Sequence, residues 1–534
     1  MKKSDDLDPP QDTMEAMAEM IRQRVEAEAK DMPQPPPVDL NKYLKTEALQ
    51  DGNVENDARV FVEMFKERLL FNTSAQEWFF WNGLTWKPDT TSSAFAAVGS
   101  VADFYYEEYL RVSEQLSKLA AQGGGHETEV SFLEARKKLL VKRVRQLRDE
   151  HRRGSVLKFA RSDQNGDSLC MDGNRFDQHP MLFPCANGTL DLETGRLRPS
   201  RPGDFLTKSS PIEFHGITTP APLWEKTILQ IFNDEDEMVN YIHRFFGYCL
   251  TGDITEKNFS VFYGPAGWNG RSMILETISF VMGKFASRIP SEMLLASKYP
   301  PNANVPRPEI TGLKGVRLAT ASEIEDGQKF SLSRVKWLTG QDSLTGRNPH
   351  EKQFLEFMPT HKLIVQTNHL PKADADDKAF WGRIHLVNFP LSFVTWKPTK
   401  PYERPANTKL GQELRKEAPG ILAWLLRGCL LWQRDGLNPP QKVLDSTKEY
   451  REDEDMLYDY ITARIKEEPG KTTPSKEIYS DFSSWYKEEH GADDAPTQSW
   501  FGKRFAAKFK RTKSNGIKVY EGVIIKKGLA VDAI

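Results

Sequence analysis

Three observations predict an α/β fold for this chain. Between residues 258 and 394, short apolar runs alternate with stretches of helical periodicity, as in a parallel sheet whose strands are joined by crossover helices. The first apolar run, residues 259–262, and the first helical run, residues 273–281, are separated by a glycine-rich loop, Tyr263-Gly-Pro-Ala-Gly-Trp-Asn-Gly-Arg-Ser272. A loop in that position offers backbone N–H groups and a helix N-terminus to a phosphate. The flanks differ in texture: an aromatic-rich mixed α and β stretch comes before the core, and a basic stretch of helices followed by strands comes after it.

Composition sets the outer bounds. At 534 residues the chain has room for roughly three or four domains. A hydrophobic content of 39%, with 30 Phe and 12 Trp, can fill real cores. Charged residues make up 28% but the net charge is only −2, so any signal for nucleic acid has to be local. Cys170, Cys185, Cys249 and Cys429 show no CxxC spacing, which argues against a zinc ribbon or disulfide framework and fits a reducing, cytoplasmic location. The start, Met-Lys-Lys-Ser, carries no apolar leader, and no run of about 18 apolar residues exists, so no membrane association is expected.

In chain order, residues 12–30 can form a short helix that ends at the stiff Pro33-Gln-Pro-Pro-Pro37 linker. Residues 57–70 read as a helix. Trp81-Asn-Gly-Leu-Thr-Trp86 reads as a hairpin, because Asn-Gly is a strong turn signal. A helix over 94–120 breaks at Gln122-Gly-Gly-Gly125. A basic helix follows, carrying Arg136, Lys137, Lys138, Lys142, Arg143, Arg145, Arg148, Arg152 and Arg153. It reads first as a solvated face packed through Leu140, Val144 and Leu147, and second as a surface for nucleic acid or a neighbouring subunit. Residues 183–214 alternate short strands with turns, residues 222–251 are helical, and further helices are expected over 409–435 and 443–467. The last unit, from about residue 471, begins with helices over 476–489 and 498–509 and ends in strands over 516–520 and 523–525.

The chemistry concentrates in the core. The usual phosphate loop reads GxxxxGK followed by Ser or Thr, its lysine reaching the β- and γ-phosphates as a point charge and its hydroxyl serving Mg²⁺. Here Arg271 replaces the lysine, and five residues rather than four separate Gly264 from Gly270. A planar fork is not equivalent to an ammonium, so the exchange can slow hydrolysis more than binding. Downstream, Gly315-Val-Arg-Leu-Ala-Thr-Ala-Ser-Glu323 has the form of a Walker B strand, whose acid holds the metal shell or polarises water. The strand Lys362-Leu-Ile-Val-Gln-Thr-Asn368 ends in a polar residue suited to orienting that water, and Arg383 follows in Phe380-Trp-Gly-Arg383. Alone, Glu323 is one of many strand-ending acids and Arg383 reads as a surface ion pair.

In this order, the strand–loop–helix, strand–Glu, basic hairpin, strand–Asn and Arg resemble a superfamily 3 helicase. The motifs over residues 58–86, Asn187-Gly-Thr-Leu-Asp-Leu-Glu-Thr-Gly195, Leu338-Thr-Gly-Gln-Asp342, Thr367-Asn-His-Leu-Pro371, Pro419-Gly-Ile-Leu-Ala-Trp424 and Gly436-Leu resemble the phage/plasmid and poxvirus-type primase-helicases. The resemblance covers roughly residues 55–465. It implies an AAA+-like P-loop ATPase core in a ring, usually a hexamer, with ATP and Mg²⁺ bound between subunits. It implies Gly264, Gly267, Asn269, Gly270, Arg271 and Ser272 as the ATP-binding loop, Ser272 and Glu323 as metal contacts, Asn368 as sensor and Arg383 as a finger in the neighbour's site. It also implies a hairpin over 343–354 that points Arg347, His350 and Lys352 at single-strand phosphates. The family's loop reads GxGxNGKS, many members carry two acids where Ser322-Glu323 stands, and Gly382 replaces the first of two arginines often found near the finger.

The last unit resembles a winged helix. Phe501, Phe505 and Phe509 supply its core, while Lys503, Arg504, Lys508, Lys510, Arg511 and Lys513 suit duplex phosphates. The expected organisation is a tail and linker over 1–54, an α+β N-terminal domain over 55–215, an ATPase core over 216–400 with a helical lead-in over 222–252, a helical lid over 401–468 and the winged-helix-like domain over 471–534. The roughly 55 residues ahead of the resemblance are too few for a primase, so a separate primase or replication initiator is an expected partner. The expected function is an ATP-dependent replicative DNA helicase of a phage, plasmid or other mobile element that moves on DNA as a ring. The second reading is a nucleotide-binding ring that binds or melts origin DNA with weak turnover.

Overall fold

The computed structural model describes residues 40–44, 52–123, 125–162, 168–297, 305–322, 324–349, 354–490, 495–514 and 516–526. The expected helix over 12–30 and the proline linker lie outside them, as do Glu323, His350 and Lys352.

The first unit opens with α1 (Val54–Phe65), capped by Asn53, whose side chain accepts from the Glu55 N–H. The helix stops short of the expected residue 70, because Leu69 and Leu70 belong to β1 (Leu69–Asn72). β1 pairs with β2 (Glu77–Trp81), which pairs with β3 (Trp86–Pro88). The expected hairpin forms with Trp81 opposite Trp86, but it closes over residues 82–85: the Asn82 side chain accepts from the N–H groups of Leu84 and Thr85. β4 (Cys170–Met171) completes this sheet in the order β3-β2-β1-β4.

Three helices cover it: α2 (Gly99–Gln122), α3 (Glu127–Leu147) and α4 (Glu150–Ala160). The expected single basic helix is thus two, with Asp149 capping the second. Several of its cations have structural partners. Arg143 and Arg152 both bind the buried Asp57, and Arg136 binds Glu108. A second small sheet, β5 (Leu182–Cys185), β6 (Gly188–Asp191) and β7 (Arg196–Arg198), leads to α5 (Pro222–Ile231) and α6 (Asp236–Cys249).

The central sheet is parallel throughout, in the order β14-β8-β13-β10-β9. Its strands are β8 (Phe259–Tyr263), β9 (Ala286–Arg288), β10 (Leu318–Ala321), β13 (Lys362–Thr367) and β14 (Ile384–Asn388). Side chains alternate between its faces. Phe262, Leu318, Ile364 and Val387 pack against α5, α6, α7 (Arg271–Met282) and α11 (Ala418–Asp435), and the core on that side also takes in Phe183 and Leu190 of the small sheet. Phe259, Val261, Leu363, Val365 and Leu386 pack on the other side against α8 (Leu332–Leu338), α9 (Lys378–Trp381) and Tyr450 of α12 (Gln441–Asp453). α6 and α11 touch backbone to backbone. A Cβ on Gly247 would lie 2.1 Å from the Cys429 nitrogen, and one on Gly428 would lie 2.1 Å from the His243 oxygen.

Smaller pieces decorate the sheet. β11 (Leu344–Gly346) and β12 (Leu355–Phe357) form the stem of the expected hairpin; β15 (Ser392–Val394) and β16 (Glu403–Pro405) form a parallel pair after β14; α10 (Leu410–Lys416) precedes α11. The last unit runs α13 (Met456–Arg464), β17 (Ile465–Pro474), α14 (Ser475–His490), α15 (Gln498–Lys508), β18 (Arg511–Ser514) and β19 (Ile517–Ile525). Its sheet order is β17-β19-β18, around a core of Tyr460, Phe482, Phe501 and Phe505. The helix expected over 443–467 is therefore α12, α13 and the start of a strand. β17 escapes sequence reading because the Glu468-Pro-Gly470 segment reads as a terminator, yet both halves of the strand pair with β19 around an irregularity there.

Candidate nucleotide site

The loop from Gly264 to Gly270 joins β8 to α7 at the carboxyl end of the sheet, where open α/β sheets bind their ligands. Its shape follows from three glycines. Gly264 leaves room for Asn269, whose amide nitrogen would lie 1.9 Å from a Cβ there and donates to the Gly264 carbonyl at 3.1 Å. Gly267 and Gly270 take positive φ angles of 67° and 86°, and Gly270 also lies directly against Ile231 of α5. α7 then begins at Arg271, so its first N–H groups have no acceptor within the helix and face the loop.

Beside the loop lies a mostly polar cleft of about 300 Å³, bounded by Arg271, Ser272 and Glu276 of α7, Arg288 of β9, Thr320 and Ser322 at the end of β10, and Gln366 and Asn368 at the end of β13. Of the expected residues, the structure brings Ser272, Arg271 and Asn368 together here; Glu323 lies between the cleft residues Ser322 and Ile324 but outside the described residues. Gln366 was not anticipated. Its amide donates to the Ser272 hydroxyl at 2.8 Å. The period of two along a strand was the available signal, since Gln366 and Asn368 share a face.

Arg271 does not reach into open space. It is buried, and its Nε donates to the Asn269 side chain at 2.8 Å. One terminal nitrogen donates to the carbonyls of Phe262 and Thr367, and the other to the Asn368 side-chain oxygen. The guanidinium therefore ties the loop to the ends of β8 and β13 and holds the Asn368 side chain. Burial pulls its pKa down to about 10, which leaves it charged at neutral pH.

Arg383 stands just before β14, at the amino end of the sheet and away from this cleft, where its guanidinium donates to the Lys336 carbonyl and the Thr339 hydroxyl at the end of α8. Arg347 leaves β11 with its guanidinium 5.7 Å from the Phe354 ring centre. In the last unit, Arg504 of α15 pairs with Asp374 and Asp376 of the segment after β13, Lys508 with Asp455 and Lys510 with Glu521. Lys503 and Arg511 are exposed. Lys513, also exposed, stands directly opposite Lys518 in the β18–β19 hairpin, a like-charge pairing that sheets ordinarily avoid. Among the described residues no helix is long and apolar enough to cross a membrane.

Residues 58–233 match the family model described as D5 N terminal like. The chain is 26% identical over 385 residues to "Putative helicase 022R" of frog virus 3, covering 59% of this chain and 39% of that protein. It is 25% identical over 328 residues to "Putative helicase L207/L206" of Acanthamoeba polyphaga mimivirus, covering 59% and 34%, and 22% identical over 332 residues to "Putative primase C962R" of African swine fever virus, covering 58% and 34%. The chain thus resembles proteins of large DNA viruses that carry helicase or primase names, and spans little more than a third of their length. A solved structure, the A form apo structure of the NrS-1 C terminal region, aligns with 69% of this chain and 89% of its own at 13% identity. Its TM-score of 0.36 is too low to carry an argument.

Proposed function

We propose that this chain is an ATP-dependent replicative DNA helicase of superfamily 3, working as a ring of further copies of itself on behalf of a virus, phage, plasmid or other mobile element. The observation that carries the reading is the cleft itself. A parallel sheet in the order β14-β8-β13-β10-β9 gathers the glycine loop, Ser272, Gln366 and Asn368 at its carboxyl end. That is the arrangement an AAA+-like ATPase needs. The residues fit a nucleoside triphosphate: open space lies beside Gly267 of the loop, and α7 begins at Arg271 with no side chain among the described residues capping its first N–H groups.

In this reading the loop and α7 bind the phosphates and hold them in line. Ser272 and Glu323 would hold a Mg²⁺ ion, which neutralises phosphate charge when bound. Glu323 polarises the attacking water, Asn368 orients it, and Arg383 reaches the site of the next subunit, since it stands at the opposite end of its own sheet. The helix–strand–helix–helix–strand–strand order of the last unit, around a three-stranded sheet, supports a winged helix that grips duplex DNA through Lys503, Arg511 and Lys513. The hairpin of Arg347, His350 and Lys352 grips the single strand. A primase acts from another chain or another part of a longer one.

One observation favours the second reading, a nucleotide-binding ring with weak turnover: Arg271 is bound to Asn368 in place of a lysine free to meet the phosphates. An ATPase assay with and without single-stranded DNA separates the two. The helicase reading expects DNA-stimulated turnover that Glu323→Gln removes; wild-type turnover no higher than that of the variant would sink it.

A further inference from the structure

Within the glycine-rich loop, one residue has an unusual backbone. Trp268 adopts a φ of +43°, a left-handed conformation that is a real outlier for a bulky aromatic, and its indole is 68% exposed. An exposed tryptophan held this way needs external support, and it has some. The Phe393 N–H donates to the Trp268 carbonyl at 2.8 Å, and the Ser392 hydroxyl donates to the Gly267 carbonyl at 3.1 Å. Both supports come from β15. Two residues beyond that strand, Trp396 is 49% exposed and stands edge-on to Trp268, ring centres 5.4 Å apart at 83°. Two large indoles thus form an open corner on the rim of a phosphate loop.

The corner lies on a definite side. The polar cleft opens over β13 and β10, whereas β15 follows β14, which lies on the other flank of β8. A triphosphate with its far end toward Ser272 and Asn368 therefore directs its sugar and base toward the β14 side, where the tryptophans stand. We infer that Trp268 and Trp396 form a stacking platform for the nucleobase of the nucleotide bound by the loop. This rests on the nucleotide-binding reading above. The recognition is by a π-face with a perpendicular edge beside it, so it favours the larger purine ring over a pyrimidine and distinguishes adenine from guanine poorly. The substrate class is thus a purine nucleoside triphosphate. A base of single-stranded DNA is the less favoured occupant, because Trp268 belongs to the loop that holds the phosphates.

Calorimetric titration of the full chain with ATP, GTP, CTP and inorganic tripolyphosphate tests this. Two variants are used: Trp396→Ala, and Trp268→Gly, which suits a positive φ. The wild type should bind ATP and GTP alike and CTP more weakly. Each variant should bind the two purine nucleotides about tenfold more weakly, bring them down to CTP, and bind tripolyphosphate as the wild type does. Equal losses for ATP and tripolyphosphate would make the tryptophans mere loop supports and overturn the platform. So would unchanged ATP binding accompanied by weaker binding of single-stranded oligonucleotide, which would assign the corner to DNA. Wild-type protein that binds neither ATP nor tripolyphosphate would remove the nucleotide site itself, a failure distinguishable from the other two.

Discussion

At the scale of a single residue, Arg271 decides how the loop behaves. Sequence alone identifies it as a substitution for lysine, and a guanidinium was expected to affect turnover. What the fork grips is visible only in three dimensions: Asn269, two strand-end carbonyls and Asn368. A lysine carries the same charge on a single nitrogen, so it cannot span the separate positions that Nε and the two terminal nitrogens of Arg271 occupy. Arg271→Lys should therefore release Asn368 and raise the rate of ATP hydrolysis at saturating nucleotide above wild type, with a melting temperature lower by a few degrees. Arg271→Ala should weaken nucleotide binding at least tenfold and melt earlier still, because it strips the donors from buried carbonyls. A turnover rate in Arg271→Lys no higher than wild type would show that the hold on Asn368 is not limiting. Ser272 was legible from spacing, but its partner Gln366 was not, since the two lie 94 positions apart in the chain.

At the scale of elements, α15 and the α6–α11 pair carry the main consequences. The basic residues of α15 looked from sequence like a single phosphate-binding face. The structure divides them, because Arg504 meets carboxylates of the core and Lys508 meets Asp455, which caps α13, while Lys503 stays exposed. Half-exposed pairs of this kind add little stability, so their effect is on availability. Asp374→Asn combined with Asp376→Asn should free Arg504 and tighten duplex DNA binding several-fold, with a steeper salt dependence, as read by anisotropy titration. Unchanged affinity would mean that α15 does not face DNA. On α6, His243 stacks on Trp424 at 4.2 Å and lies 2.7 Å from its carbonyl oxygen. Burial pulls its pKa from 6.5 down to about 4, with Arg427 and Arg244 acting in the same direction. Between those values the unfolded chain binds the extra proton. Its contribution is therefore complete above about pH 6.5 and is lost as the pH falls toward 4. His243→Phe should flatten the fall in stability across that window by up to about 1.4 kcal/mol per pH unit, measured by denaturant unfolding at several pH values. An unchanged slope would mean that the histidine is protonated in the fold.

At the scale of the whole molecule, the cleft and Arg383 occupy opposite ends of one sheet, so a shared site requires a second copy of the chain. Arg383→Ala should abolish turnover while leaving ATP affinity within a factor of about two. Mixing it with Glu323→Gln protein should restore part of the activity, because some interfaces then pair an intact acid with an intact arginine. A mixture as inactive as its parts would argue against a finger acting between subunits. Periodicity and turn chemistry determined much of this molecule before any tertiary contact was considered. The α/β alternation, the strand–loop–helix at residues 259–282 and the helices of the last unit all depend on neighbours a few positions apart. β17 was hidden because Pro469 and Gly470 end a strand locally, while a partner strand some fifty residues later carries it past them. The destinations of the cations were decided only by the fold. Arg271 meets Asn368 across 97 positions, Arg504 meets Asp374 across 130, and Arg143 meets Asp57 across 86. A charge in a sequence shows what a residue can bind, whereas packing brings its partner within reach and decides whether it stays available to DNA or nucleotide.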